Sequence, residues 1–114
     1  MDNRSVVQKL VVYMGSRYAD PSPTFSKYHM QKRCDEIWIF NEFMLDIMDH
    51  PDKDVCMECN KWILVIKGKL NDPDCTSVRL RQMYLTHIKV LEDIRSTLDV
   101  INQENCKMAD FGWF

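Results

Sequence analysis

The sequence predicts an all-α fold, a compact helical bundle packed around a central apolar helix, and three observations predict it. Apolar residues recur at intervals of three and four along most of the chain, the spacing that lines one face of a helix. The prolines Pro21, Pro23, Pro51 and Pro73 fall between those stretches, and only three glycines occur. The one continuous apolar run has no second strand candidate to pair with, and a lone strand is unstable.

The first helix is expected over about Asp2 to Tyr18. Val7, Leu10, Val11 and Met14 form its apolar stripe, and Asp2 or Asn3 stands where a side chain caps the free N–H groups. Asp20-Pro21-Ser22-Pro23 forbids continuation, since each proline removes a donor and restricts the residue before it.

Thr24 can cap a second helix running to about Asp49, with Met30, Ile37, Phe40, Met44, Leu45 and Met48 on its apolar side. From Ile37 to Leu45 the stretch is apolar nearly all round apart from Asn41 and Glu42, so it is either central or split by a bend.

His50-Pro51-Asp52 closes that unit, and a third helix is expected from about Asp54 to Lys69 with Trp62-Ile63-Leu64-Val65-Ile66 at its centre. Asn71-Asp72-Pro73-Asp74 is a turn by composition. Thr76 or Ser77 then caps a long last helix in which Leu80, Tyr84, Ile88, Leu91, Ile94, Leu98 and Ile101 alternate steps of three and four, with an interruption expected near Thr97.

At 114 residues the chain can bury one core but not two, so residues 1–114 are expected to form a single domain. Hydrophobic residues make up 46% and charged ones 28%, an ordinary globular balance. A net charge of −2, with both signs spread along the length, offers no basic face for nucleic acid. Met1-Asp2-Asn3-Arg4 lacks a signal-peptide layout and no apolar run approaches the roughly 20 residues that span a bilayer, so a cytosolic protein is expected. Cys34, Cys56, Cys59, Cys75 and Cys106 are odd in number and irregularly spaced, which points to reduced thiols, an intermolecular disulfide being the alternative.

Asn3, Arg4, Val7, Tyr13 and Ser16 fall in register with the N-terminal BH4 helix of the Bcl-2 family of apoptosis regulators, which the first helix resembles. Met30-Gln31-Lys32-Arg33-Cys34-Asp35-Glu36-Ile37 resembles that family's BH3 pattern of apolar, three variable, small, Asp, acidic, apolar. An apolar residue, a small one four later and an apolar one three further share a helix face, and the small one permits close approach. Ile101-Asn102-Gln103-Glu104-Asn105 with Phe111 and Trp113 looks faintly like BH2.

The third helix occupies the place of the family's central helix, introduced there by Asn-Trp-Gly-Arg. Here only Asn60 matches directly, Trp62 is displaced by one, and neither the Gly nor the Arg is present. That Arg pairs with the Asp of a bound BH3 helix, and Lys61 is the nearest substitute, with a weaker, non-bidentate contact.

Being short, divergent and without a hydrophobic C-terminal anchor, the chain resembles viral Bcl-2 homologues, which restrain host cell death by sequestering pro-death proteins. The resemblance implies a groove formed by the second and third helices, lined by Met30, Cys34, Ile37, Phe40, Met44, Asn60, Lys61, Trp62 and Val65. Its implied partners are pro-apoptotic BH3-only or Bax/Bak-type proteins, with a homodimer also expected. The implied setting is the host cytoplasm, with mitochondrial association through partners. The rival is a Bcl-2-like adaptor or signalling inhibitor whose groove has closed.

Catalysis finds no pattern. Cys56-Met57-Glu58-Cys59 has zinc-ligand spacing with His50 upstream, but no second pair completes four ligands, and its acidic surroundings disfavour a redox thiol. His29, His50 and His87 are scattered, with no nucleophile at motif spacing. Asp35 and Glu36 diverge by about 100° on a helix and cannot act as a facing carboxylate pair. Trp38, Trp62, Phe40 and Phe43 are divided between core and groove. No enzyme, metal or cofactor is expected.

Overall fold

The computed structural model describes residues 3–18 and 27–110, and every element among them is an α-helix. The order is α1 (Asn3–Tyr18), α2 (Lys27–Asp49), α3 (Val55–Leu70) and α4 (Val78–Asp110). The Asp2 and Thr24 caps, the Asp20 to Pro23 break, and Phe111 and Trp113 lie outside the described residues, as do the side chains of Ser16, His29, Asn105 and Cys106.

Local chemistry sets the later boundaries. Asp54, extended at φ −75° and ψ 119°, accepts from the Met57 N–H at 3.0 Å and so starts α3. Between the two caps expected for α4, it is the Ser77 hydroxyl that accepts from the Leu80 N–H, at 3.3 Å. The connection before it is pinned by Arg81, whose Nη1 donates to the carbonyls of Leu70 and Cys75.

α1 buries Val7, Leu10, Met14 and Tyr18, while Val11, expected on the same stripe, is 46% exposed. α2 is one unbroken helix: its nearly all-round apolar stretch buries Ile39, Phe40, Phe43, Met44 and Ile47 and leaves Trp38, Leu45 and Met48 exposed. α4 is also continuous. Thr97 does not interrupt it, because its hydroxyl donates back to the Asp93 carbonyl at 2.8 Å, the i−4 bond a helix tolerates.

The position of the centre corrects the sequence expectation. α3 is amphipathic, burying Ile63 and Ile66 while Leu64 is 69% exposed, so it lies on the outside of the bundle. α4 is the helix that packs against all three others. Its Ile88, Val90, Leu91, Ile94, Leu98 and Ile101 form the spine of the core. At 33 residues it is about 50 Å long, which accounts for the 53 Å long axis of the molecule.

Close approach of α3 to α4 depends on Cys59, fully buried, whose Sγ donates to the Leu91 carbonyl at 3.1 Å. Asn3 has a different task from the N-cap expected of it. Its buried side-chain amide donates to the carbonyls of Ile47, His50 and Lys53, satisfying the end of α2 and the turn after it. At the other end of α1 the Tyr18 hydroxyl donates to Asp93 at 2.6 Å and its ring stacks on Phe40, centroids 5.5 Å apart. α1 is thus fastened to α2 at its start and to α2 and α4 at its end.

Candidate helix-binding groove

α2 and α3 both lean on α4 and touch each other where Phe43 and Trp62 meet nearly at right angles, centroids 5.4 Å apart and rings at 83°. Between them lies an open groove of about 720 Å³. Its α2 wall carries Cys34, Asp35, Trp38 and Ile39, its α3 wall Lys61, Trp62, Val65, Ile66 and Lys69, and its floor is Met83, Tyr84 and His87 from α4. One volume thus combines a mostly apolar surface with a few fixed polar groups, the usual composition of a binding cleft.

The groove exists because helical periodicity divides each wall helix into two faces. On α2, successive residues step by about 100°, so Cys34, Trp38 and Asp35 share one side while Phe40 and Met44 turn to the other. On α3, Lys61, Val65 and Lys69 recur every fourth residue along the rim, with Trp62 and Ile66 one step inward.

Of the residues the resemblance assigned to the groove, Cys34, Lys61, Trp62 and Val65 line it. Phe40 and Met44 are in the core, 1% and 6% exposed. Ile37 is half-buried on the flank of α2, and Met30 is exposed one turn before Cys34, neither of them in the lining. Asn60 sits on the far side of α3, where its amide oxygen accepts from Arg95 at 2.5 Å.

Tyr84, His87 and Lys69 were not assigned to the groove from sequence, and Trp38, left there between core and groove, lines it. The spacing Cys34 to Trp38 and Lys61 to Val65 to Lys69 is the signal that points to Trp38 and Lys69. His87 and Tyr84 are brought in by tertiary packing of α4 and carry no local signature.

Polar groups close both ends. At one, Arg79 donates to both Asp35 oxygens at 2.8 Å, and Gln31 reaches Asp35 at 3.4 Å. Next to this pair His87 is buried and stacks on Trp38 at 5.4 Å. Burial holds its pKa below 6.5, the Arg79 charge acting in the same direction and Asp35 against it.

At the other end Lys53 bridges Asp46 and Glu58, 3.4 Å from each, and Lys61 stands 3.9 Å from Glu58. Partial burial works to lower the Lys53 pKa, yet the two carboxylates outweigh it and raise the value. The second oxygen of Asp46 is enclosed without a hydrogen bond.

Among the described residues no group of three or more His, Cys, Asp and Glu converges as a metal site. Cys59 faces Leu91 rather than a common ligand with Cys56. No described helix is long and apolar enough to cross a membrane. In comparisons with family models, curated proteins and solved structures, nothing matches this chain.

Proposed function

We propose that the groove between α2 and α3 receives an amphipathic helix of another protein, and that this helix is the BH3 segment of a pro-apoptotic protein, held out of action by the complex. The observation that carries this reading is the coincidence, in one open cleft, of two tryptophans and the aliphatic Val65 and Ile66 with a lysine rim. The α2 wall runs from Gln31 to Asp46, about 22 Å of helix, room for roughly four turns of a bound helix. The partner's apolar face would cover Trp38, Trp62 and Val65, and its aspartate would meet Lys61.

Calorimetric titration with a panel of BH3 peptides tests the reading. Sub-micromolar binding to at least one peptide, weakened by Lys61→Glu with no loss of folding stability, is the expected result. Equal affinity of the wild type and the variant would remove Lys61 from the site.

The adaptor alternative draws on one observation, the lysine standing where the resemblance calls for an arginine, which forfeits the bidentate contact. Silence across the whole panel would favour that alternative.

A further inference from the structure

The charges of the groove are sorted by depth. Its three carboxylates lie inside and are already engaged: Asp35 is 8% exposed and clamped by Arg79, Glu58 is 9% exposed beside Lys53 and Lys61, and Asp46 holds Lys53. The groups that reach solvent at the α3 rim are cations. The Lys61 side chain is 71% exposed at 3.9 Å from its acid, and Lys69, also exposed, makes no ion pair among the described residues. An incoming helix therefore meets ammonium groups first, although the whole chain is slightly acidic.

From this sorting we infer that Lys69 is a second anchor for acid, and that the groove selects amphipathic helices carrying two carboxylates on one edge, seven residues apart. The inference rests on the helix-binding reading above and adds a requirement to it. Lys61 and Lys69 are two turns apart on α3, about 12 Å along its axis. A partner helix lying along α3 presents residues i and i+7 on the same edge about 10.5 Å apart, within reach of two flexible lysine stems. Val65 lies between the lysines, and Trp62 and Ile66 lie just inward, so the apolar face of the same helix is buried as its acids pair. A helix with one acid would pair at one end and leave Lys69 solvated.

The test is calorimetry on the full chain with amphipathic helical peptides of about 20 residues that share one apolar face. One peptide carries Asp at i and i+7, one has the second Asp replaced by Asn, and one has it replaced by Lys. The two-acid peptide is expected to bind about two- to fivefold more tightly than the one-acid peptide, the range of an exposed ion pair. Lys69→Glu should abolish that difference and make the Asp/Lys peptide the preferred one.

Binding that ignores the second acid, or survives Lys69→Glu unchanged, overturns the second anchor and leaves the groove reading intact. No binding by any peptide, including the BH3 panel, overturns both. Sedimentation at the titration concentrations gives a separate check: a dimer to which no peptide binds and which none dissociates, with binding restored on dilution to monomer, would assign the groove to a second copy and overturn the inference.

Discussion

The Asp35 carboxylate on α2 and the Arg79 guanidinium on α4 face each other through two parallel hydrogen bonds of 2.8 Å, the fork geometry peculiar to arginine. Asp35 is buried, and without Arg79 it keeps the Gln31 amide, a weak contact at 3.4 Å. Arg79→Ala should therefore lower the urea midpoint, and Arg79→Lys should recover only part of the loss, since an ammonium cannot bridge both oxygens. Asp35→Asn combined with Arg79→Ala should be less damaging than the sum of the two, because no charge is then left buried. A double-mutant cycle by urea denaturation measures this, and strict additivity would mean the pair is not coupled.

Asn3 serves three carbonyls with one amide. Asn3→Ala leaves the acceptors on Ile47, His50 and Lys53 without that donor and should cost about 1–3 kcal/mol. Asn3→Asp should be worse, since it sets an acceptor against acceptors. Urea unfolding of both variants checks the order, and an Asp variant as stable as the wild type would contradict the geometry.

His87 makes stability depend on pH. Its folded pKa lies below the 6.5 of a free histidine, so below that value the unfolded chain takes up the proton more readily than the folded one. Its contribution is complete above pH 6.5 and is lost progressively as pH falls from there through the folded pKa. The drop in urea midpoint between pH 7.5 and pH 5.5 should be smaller in His87→Gln than in the wild type.

The thiols should separate cleanly. Burial, with a smaller push from Cys56, drives the Cys59 pKa up to about 12, whereas Cys34 is exposed at the groove. A thiol reagent at pH 8 should label Cys34 in the folded protein and Cys59 only in denaturant, as read by peptide mass mapping. Labelling of both at similar rates in the folded state would show that α3 opens from α4.

The two groove tryptophans should also part company. Trp38 is 54% exposed and rests on His87, so Trp38→Ala should cost about 1 kcal/mol or less. Trp62 packs nearly at right angles to the fully buried Phe43, and Trp62→Ala should cost about 2–4 kcal/mol. Both variants should weaken helix binding, with only Trp38→Ala doing so at nearly unchanged stability in urea titrations.

Four helices could be read from periodicity and punctuation because those signals are local. Asp54 and Ser77 start their helices through bonds to N–H groups three residues away. The α4 stripe from Ile88 to Ile101 is buried as its spacing requires. Val11 could not be separated from Met14 by the same means, since both lie near one face and only the width of the neighbour decides which is covered.

The sequence by itself determined which residues share a helix face and, at Asp54 and Ser77, where α3 and α4 start, because these depend on backbone geometry and on contacts within one turn. Tertiary structure decided which neighbour each face meets. It made α4 rather than α3 the hub, turned Phe40 and Met44 into the core and Trp38 toward the groove, and joined Asn3 to Ile47, Tyr18 to Asp93 and Asp35 to Arg79. Those contacts link residues more than forty positions apart. They follow from how whole apolar faces fit together, and no local spacing encodes that fit.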